Sequence, residues 1–105
     1  MVEVVTKEQL EQLTKEHHNV VVDFFAKWCG PCKMVSAHID KTQEEVKDIA
    51  LIVKVDIEQS PELAAEFGVR SIPTFAFINE EKVVDTHVGL LSQKQLVDRI
   101  NFAFK

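Results

Sequence analysis

The sequence predicts an α/β domain in which a mixed five-stranded sheet is flanked by four helices. Three observations favour this class: β-branched apolar runs alternate with helical patterns, the last two strands flank a short turn, and the chain has the length of one domain. We therefore expect a single domain over residues 1–105. Its residues are 46% hydrophobic and 28% charged, as in an ordinary globular domain.

The chain begins with a short strand, a capped helix and a buried strand. Val2–Val5 is apolar and predicts an edge strand. Thr6 and Gln9 form the pattern of a capping box, and two leucines three residues apart support a helix to about Glu16. Residues 20–25, V-V-V-D-F-F, lack polar alternation, which predicts a central strand covered on both faces.

The middle of the chain repeats this alternation. Residues 31–47 predict one long helix, and its buried stripe is expected to consist of Met34, Val35, Ile39 and Val46. Ala50–Val55 predicts a second buried strand. Ser60 and Pro61 mark the start of a third helix, with an N-cap side chain and proline at the first position, and Gly68 ends it.

The last third predicts a hairpin and a final helix. Thr74–Ile78 and Lys82–Val88 flank the sequence N-E-E at residues 79–81. Ser92 with Gln95 forms a second capping box before the apolar residues of the last helix. The resulting order gives a mixed sheet with helices on both faces.

The charge balance excludes some functions. Twelve basic residues against seventeen acidic ones give a net charge of −5, and the isoelectric point is near 5.3. We therefore expect no general nucleic-acid binding, which needs a basic surface. No apolar run approaches the ~20 residues of a membrane span. Since the N-terminus lacks the features of a secretory signal, we expect a cytoplasmic protein, in which a cysteine pair is more often catalytic or metal-binding than structural.

Both cysteines lie in one short segment, Cys29-Gly30-Pro31-Cys32, between a predicted buried strand and a predicted helix. A C-x-x-C pair in this setting indicates redox chemistry. Free backbone N–H groups at a helix start favour negative charge, so we expect a stabilised Cys29 thiolate, the nucleophile. Cys32, one turn further on, is placed to attack the Cys29 sulfur in a mixed disulfide. Gly30 permits the tight turn, and Pro31 fixes the backbone where the helix starts.

Other interpretations of the cysteine pair are weaker. A structural disulfide would close a loop too small to stabilise the fold much. A metal site needs about four ligands, and the histidines lie in different predicted elements, which favours surface or packing roles. Two inert buried thiols also remain an alternative. The histidines concerned are His17, His18, His38 and His87.

Three segments together resemble the thioredoxin family: V-D-F-F at residues 22–25, W-C-G-P-C-K at residues 28–33 and R-S-I-P-T at residues 70–74. The resemblance extends from Val2 to Lys105. It implies the thioredoxin fold, which matches the predicted order of elements. It also implies a thiol-disulfide oxidoreductase that reduces protein disulfides by way of a mixed disulfide.

The resemblance also implies partners. It implies no bound cofactor and no metal, re-reduction by a thioredoxin reductase, and NADPH as the indirect electron source. Peroxiredoxins, methionine sulfoxide reductases and ribonucleotide reductase are the clients it implies. The chain has no third cysteine, which disfavours a disulfide-linked dimer, and we expect a monomer. An oxidase or isomerase of the same fold, or a binding module of a larger complex, are the alternatives, although Gly-Pro between the cysteines resembles the reductants.

Two charged residues lie inside predicted buried strands. Val21 and Phe25 share a face with Asp23, so we expect a covered carboxylate, which is costly without a purpose. By resemblance, Asp23 is the proton acceptor that helps to deprotonate Cys32, and Lys54 tunes its charge state. A solvent-facing Asp23 and a snorkelling Lys54 are the alternatives.

The remaining site residues come from the resemblance alone. Ile72-Pro73 matches the family's cis-proline, which faces the cysteines and binds the extended client chain, and a trans turn is the alternative. A flat apolar surface around the reactive sulfur binds clients. Its matching residues are Trp28, Gly30, Pro31, Ile57, Ile72, Pro73, Val88, Gly89 and Leu90.

The chain departs from the family's usual pattern at three places. Phe25 stands where many relatives have a second tryptophan. Ala37 replaces a common helix-kinking proline, so we expect a straighter helix. Residues 79–81 replace the usual glycine-containing hairpin turn, which leaves the turn type open.

Overall fold

The computed structural model describes residues 1–105, and it contains five helices and four strands. The helices are α1 (Lys7–Glu16), α2 (Gly30–Ser36), α3 (Ile39–Val46), α4 (Pro61–Glu66) and α5 (Gln93–Ala103). The strands are β1 (Asn19–Phe25), β2 (Leu51–Asp56), β3 (Thr74–Asn79) and β4 (Lys82–Val88). None of the helices has the length and apolar character that a membrane span requires.

The four strands form one mixed sheet in the order β2-β1-β3-β4. β1 pairs in parallel with β2 and antiparallel with β3, and β3 pairs antiparallel with β4. The predicted central strand is confirmed, because six of the seven β1 residues are buried. The α/β class and the mixed sheet are confirmed with it.

Two apolar layers cover the faces of the sheet. On one face, α2, α3 and α5 pack against a cluster that contains Val21, Phe75 and Phe77. On the other face, α1 and α4 pack against a cluster that contains Val20 and Phe24. Since alternate β1 residues join different clusters, the strand is held from both sides.

The predicted fifth strand is wrong. Val2–Val5 makes only an isolated parallel bridge, between Val4 and Lys54, and it does not extend into a strand. The Val5 N–H donates to the Lys54 carbonyl, while the Lys54 N–H donates to the Glu3 carbonyl. Val2 packs against one core cluster and Val5 lies in the other, so the segment is held by its side chains and two backbone hydrogen bonds rather than by a strand ladder.

The predicted long helix over residues 31–47 is also wrong, and so is the expectation that Ala37 straightens it. The helix is interrupted between α2 and α3, at Ala37 and His38. His38 has a backbone φ of −120°, and its ring Nε2 lies 2.9 Å from the Leu91 carbonyl oxygen. This side-chain bond to another part of the chain fixes the interruption without a proline.

The three predicted helix starts are confirmed, and two of the three predicted N-cap residues make a side-chain cap hydrogen bond. The Thr6 hydroxyl accepts from the Gln9 N–H, and the Ser92 hydroxyl accepts from the Gln95 N–H, both at 3.2 Å. Ser60 precedes α4 as predicted, but its side chain makes no cap hydrogen bond. Pro61 has no N–H to donate, and the α4 start relies on its fixed backbone.

The hairpin between β3 and β4 turns at two glutamates. Glu80 has a φ of 51° and Glu81 a φ of 67°. Positive φ at both central residues is the requirement of a type I′ turn, which answers the question that the sequence left open. The Glu80 N–H donates to the His18 carbonyl at 2.9 Å, which ties the turn to the segment before β1.

Candidate active site

The cysteine pair lies where the central strand ends. β1 ends at Phe25, and α2 begins at Gly30, directly after Cys29. Cys29 and Cys32 are joined in a disulfide, with their Cα atoms 5.3 Å apart. The four-residue segment therefore holds both sulfurs on the first turn of α2.

Backbone groups of the helix start face the Cys29 sulfur. Cys29 is the N-cap residue of α2, and its Sγ accepts from the Cys32 N–H at 3.2 Å. Pro31 occupies the first turn, where its missing N–H leaves no donor unsatisfied. An N–H donor aimed at Sγ favours a thiolate there once the disulfide is reduced.

The two sulfurs differ little in exposure. Cys29 is 5% exposed and Cys32 is 2% exposed. They pack with Phe25 and Ala26. Cys29 precedes the helix as its N-cap residue, and Cys32 lies inside its first turn.

A second loop approaches the cysteines from β3. The Ile72–Pro73 peptide bond is cis, and the Ile72 carbonyl oxygen lies 3.9 Å from Cys29 Sγ. The Pro73 carbonyl accepts from the Gly89 N–H at 2.9 Å, which joins this loop to the residues that follow β4. The structure thus brings the predicted proline loop and the cysteine loop together.

Asp23 lies in the middle of β1 and is fully buried. Neither of its carboxylate oxygens has a hydrogen-bond partner. Burial raises the pKa of Asp23 from 3.8 to about 7, and the charge of Lys54 partly offsets this rise. The carboxyl group is therefore able to gain or lose a proton near neutral pH.

Lys54 stands beside Asp23 in the parallel pairing of β1 with β2. Its Nζ donates to the Ser36 hydroxyl at 2.7 Å and lies 4.4 Å from the centre of the Phe25 ring. Lys54 is half-buried, and its ammonium is held by Ser36 and Phe25. Sequence reasoning missed Ser36, because a lone serine in a helix carries no pattern that points to a strand lysine.

The residues of the predicted apolar surface differ in how far they are exposed. Trp28 is 66% exposed and Val88 is 63% exposed, and Leu90 is also exposed. Ile57 and Ile72 are half-buried against the cysteines. Gly30 and Pro31 are exposed, Gly89 is half-buried, and Pro73 is buried.

The prediction that Met34 belongs to the buried face of the helix after Pro31 is wrong. Met34 is exposed, whereas Cys32 and Val35 are buried. In a helix, residues three apart share a face, so Cys32 and Val35 fix the inward face and Met34 points away from it. An exposed Met34 close to the cysteines in sequence adds to the apolar surface of α2.

The fold and the cysteine geometry match those of known proteins. The thioredoxin family model matches residues 1–102. The chain belongs to the thioredoxin family. A thioredoxin of Listeria monocytogenes serovar 1/2a is 41% identical over 101 residues, which cover 96% of this chain and 97% of the relative.

Solved thioredoxins have the same fold. The structure of Fasciola hepatica thioredoxin is 36% identical, has a TM-score of 0.88 and covers 100% of both chains. Another match is 28% identical, has a TM-score of 0.85 and covers 97% of this chain and 94% of the other. That structure gives the structural basis of the thiol resolving mechanism in yeast mitochondrial 1-Cys peroxiredoxin via glutathione/thioredoxin systems.

Family membership and the Cys29–Cys32 pair together define the activity. The chain is a thiol-disulfide oxidoreductase, more specifically a protein-disulfide reductase, and its clients are proteins that contain disulfides. Neither the oxidase or isomerase alternative nor the non-catalytic binding module is favoured. The relatives that the chain resembles are named thioredoxins over almost its full length.

Proposed function

We propose that Cys29 and Cys32 perform two successive thiol–disulfide exchanges. The Cys29 thiolate attacks one sulfur of a client disulfide, so that a Cys29–client bond forms, the client bond breaks, and one client sulfur leaves as a thiolate. Cys32 then attacks Cys29 Sγ and releases the second client thiolate. Cys29 and Cys32 lose two electrons, and the client disulfide gains them. The observation that carries this proposal is the Cys29–Cys32 disulfide on the first turn of α2.

Asp23 is the proton acceptor for Cys32 in this proposal. The second exchange requires the Cys32 thiol to lose its proton. Asp23 is the carboxylate buried on the strand that leads to the cysteines, and its pKa of about 7 suits proton transfer at neutral pH. Lys54 is its cationic neighbour in register. The proton taken by Asp23 passes to solvent after the client leaves.

The client lies across the surface formed by the two loops and the end of β4. Trp28, Gly30 and Pro31 form one side of this surface, and Val88, Gly89 and Leu90 form the other. Ile57, Ile72 and Pro73 complete it. The exposed apolar side chains provide contact area, and the backbone beside Pro73 offers strand-like hydrogen bonds to an extended client.

The proposal extends to the electron source and the clients. A thioredoxin reductase re-reduces the Cys29–Cys32 disulfide with electrons from NADPH, and the chain itself binds no cofactor. The clients include peroxiredoxins, methionine sulfoxide reductases and ribonucleotide reductase, and one of the structural matches connects a thioredoxin system with a peroxiredoxin. We place this exchange in the cytoplasm, in redox homeostasis and electron transport, with the chain acting as a single-domain monomer.

Reduction of insulin disulfides tests the proposal. With thioredoxin reductase and NADPH, the wild-type chain is expected to consume NADPH in proportion to the insulin disulfides that it reduces. Replacing NADPH and the reductase by dithiothreitol separates client reduction from re-reduction. Loss of turnover in both assays with reduced, folded protein would contradict the proposal, whereas loss in the first assay alone would contradict only the proposed electron source.

Two single variants separate the roles of the cysteines. Cys29→Ser is expected to lose insulin reduction completely. Cys32→Ser is expected to retain the first exchange and to accumulate a mixed disulfide with the client, which dithiothreitol breaks. Accumulation with Cys29→Ser instead would reverse the assignment of nucleophile and resolving thiol.

A further inference from the structure

We propose that Ser36 is a positioning residue for the buried acid-base pair. Its hydroxyl and the Phe25 ring hold the Lys54 ammonium in one place and so fix the electric field that Lys54 exerts on the Asp23 carboxylate. This inference rests on the proposed role of Asp23 for its catalytic meaning. Its structural content, the placement of one ammonium group, is independent of that role.

Three elements meet at the Lys54 ammonium. Ser36 is the last residue of α2, Phe25 is the last residue of β1, and Lys54 lies within β2. The ammonium donates to Ser36 Oγ at 2.7 Å, and it lies 4.4 Å from the centre of the Phe25 ring, within cation–π range. A lysine side chain is flexible by nature, so two directional contacts are what give this one a fixed position.

Lys54 acts on Asp23 without touching it. Neither Asp23 oxygen has a hydrogen-bond partner, and Lys54 donates its hydrogen bond to Ser36 instead. The attraction between the two charges depends on their distance, because no shared hydrogen bond fixes it. A group that sets the position of the ammonium therefore sets the strength of this attraction.

No other positive charge on the surrounding elements takes the place of Lys54. In one row across the sheet, Lys54 lies beside Asp23, Asp23 beside Phe75, and Phe75 beside His87. Burial lowers the pKa of His87 below 6.5, so its ring is neutral at neutral pH.

The remaining neighbours of Asp23 bring no compensating cation. Asp56, two residues beyond Lys54 on the same strand, is buried and accepts from the Glu58 N–H at 2.9 Å. From α2 come the two cysteines and the exposed Lys33. The core contacts of α3 and α5 on this face are apolar, among them Ile39 and Leu96. Arg99 of α5 also reaches this side of the sheet, but it is paired with Asp85 of β4 at 3.0 Å. Its guanidinium lies over the Phe77 ring rather than beside Asp23.

Removal of the Ser36 hydroxyl is expected to free the ammonium toward solvent. Ser36 is exposed at the end of its helix, and alanine is compatible with that position. Because the average distance between the Lys54 ammonium and the Asp23 carboxylate then increases, Ser36→Ala is expected to raise the midpoint of the Asp23 titration by about 0.5 pH unit. Ser36→Thr keeps a hydroxyl at the same place, and this matched control is expected to retain the wild-type midpoint.

The direct measurement is the titration of Asp23 by the NMR chemical shift of its carboxyl carbon in the oxidised protein. Lys54→Met, which keeps the length of the side chain and removes its charge, is expected to raise the midpoint more than Ser36→Ala does. In the Lys54→Met background, Ser36→Ala is expected to cause no further shift, because the group that it positions is gone.

Two results would overturn the inference. The first is an Asp23 titration midpoint in Ser36→Ala that equals the midpoint in the wild type. The second is a shift of equal size in the Lys54→Met background, which would point to a general change in packing. The rate at which Cys32 resolves a mixed disulfide is a separate readout, and its pH profile is expected to move with the titration. A shifted titration with an unmoved profile would reject Asp23 as the proton acceptor and leave the role of Ser36 intact.

Discussion

At the scale of single residues, Asp23 opposes folding at the pH where it is useful for chemistry. Its carboxyl group is fully buried and has no hydrogen-bond partner. Burial raises its pKa from 3.8 to about 7. Between these two values the unfolded chain has released the Asp23 proton while the folded chain retains it. The free energy of unfolding therefore falls as the pH rises through this window, and the loss is complete above pH 7.

Asp23→Asn is expected to remove this pH dependence. The pKa difference of about three units corresponds to about 4 kcal/mol. Since a buried amide also lacks partners, we expect a net gain of about 2 kcal/mol for the oxidised variant at pH 8. Urea unfolding at pH 4 and pH 8 measures it. The advantage of the variant is expected to grow with pH, and an advantage that is equal at both pH values would contradict the assignment to Asp23.

The burial of Asp23 could be predicted from its own strand, but the contact of Lys54 with Ser36 could not. Val21 and Phe25 flank Asp23 with the two-residue period of a covered face, so the sequence alone carries the signal. Ser36 reaches Lys54 because α2 ends at Ser36, before the interruption that precedes α3. The direction of a side chain at a helix end depends on tertiary contacts, which a periodic pattern does not contain.

At the scale of elements, the hairpin turn contains a local conflict between sequence and backbone. Type I′ turns favour asparagine and glycine, because both central residues have positive φ. Here these residues are Glu80 and Glu81. A side chain with a Cβ atom at positive φ costs roughly 1 kcal/mol. The register of β3 with β4 and the bond of Glu80 to His18 hold the turn in place despite this cost.

Glu81→Gly is expected to stabilise the protein by about 1 kcal/mol, because glycine adopts a φ of 67° without a steric cost. The free energy of unfolding in urea measures the gain. Glu11→Gly, in the exposed middle of α1, is the matched control and is expected to cost about 1 kcal/mol. A loss of stability in both variants would show that Glu81 is not strained.

The interruption between α2 and α3 gives a second prediction at this scale. The His38 ring spans from Thr42 Oγ1 at 2.9 Å to the Leu91 carbonyl at 2.9 Å. His38→Ala would leave the buried Thr42 hydroxyl and the Leu91 carbonyl without their ring partner, at a cost of about 2 kcal/mol. The control His17→Ala removes an exposed ring and is expected to change stability by less than about 0.5 kcal/mol. Equal effects in thermal unfolding would contradict the bridging role.

The element order was predictable, and its errors share a cause. Capping boxes, β-branched runs and turn residues are local signals, and they placed most boundaries correctly. The Val2–Val5 strand and the long helix over residues 31–47 failed because their outcome depends on remote partners. Val4 finds only one bridge at the edge of β2, and His38 bonds to Leu91 from the far end of the chain.

At the scale of the whole molecule, net charge and client binding involve different parts of the surface. The chain carries a net charge of −5. The proposed client surface, in contrast, exposes Trp28, Val88 and Leu90. Burial of apolar area requires no charge on the partner, whereas attraction between surface charges weakens as salt rises. Client affinity is therefore expected to come mainly from these apolar side chains.

Leu90→Asp is expected to lower kcat/KM for insulin about tenfold, because a charge replaces an apolar contact worth about 1.4 kcal/mol. The rate with a small aromatic disulfide, which covers little of the surface, is expected to stay within about twofold. Phe102→Asp makes the same change at an exposed apolar residue near the end of α5, and we expect it to leave both rates unchanged. Equal losses with insulin and the small disulfide would indicate damage to the cysteines instead.

The position of the cysteines at the end of the central strand has a consequence for motion. β1 is paired on both sides and buried on both faces, so its amide protons are expected to be among the slowest to exchange with solvent. Loops anchored to such a strand hold their binding geometry before a client arrives. The loss of conformational entropy on association then falls mainly on the client. A disulfide in a pliable, solvent-exposed segment of a client will therefore be reduced faster than one locked within a rigid core.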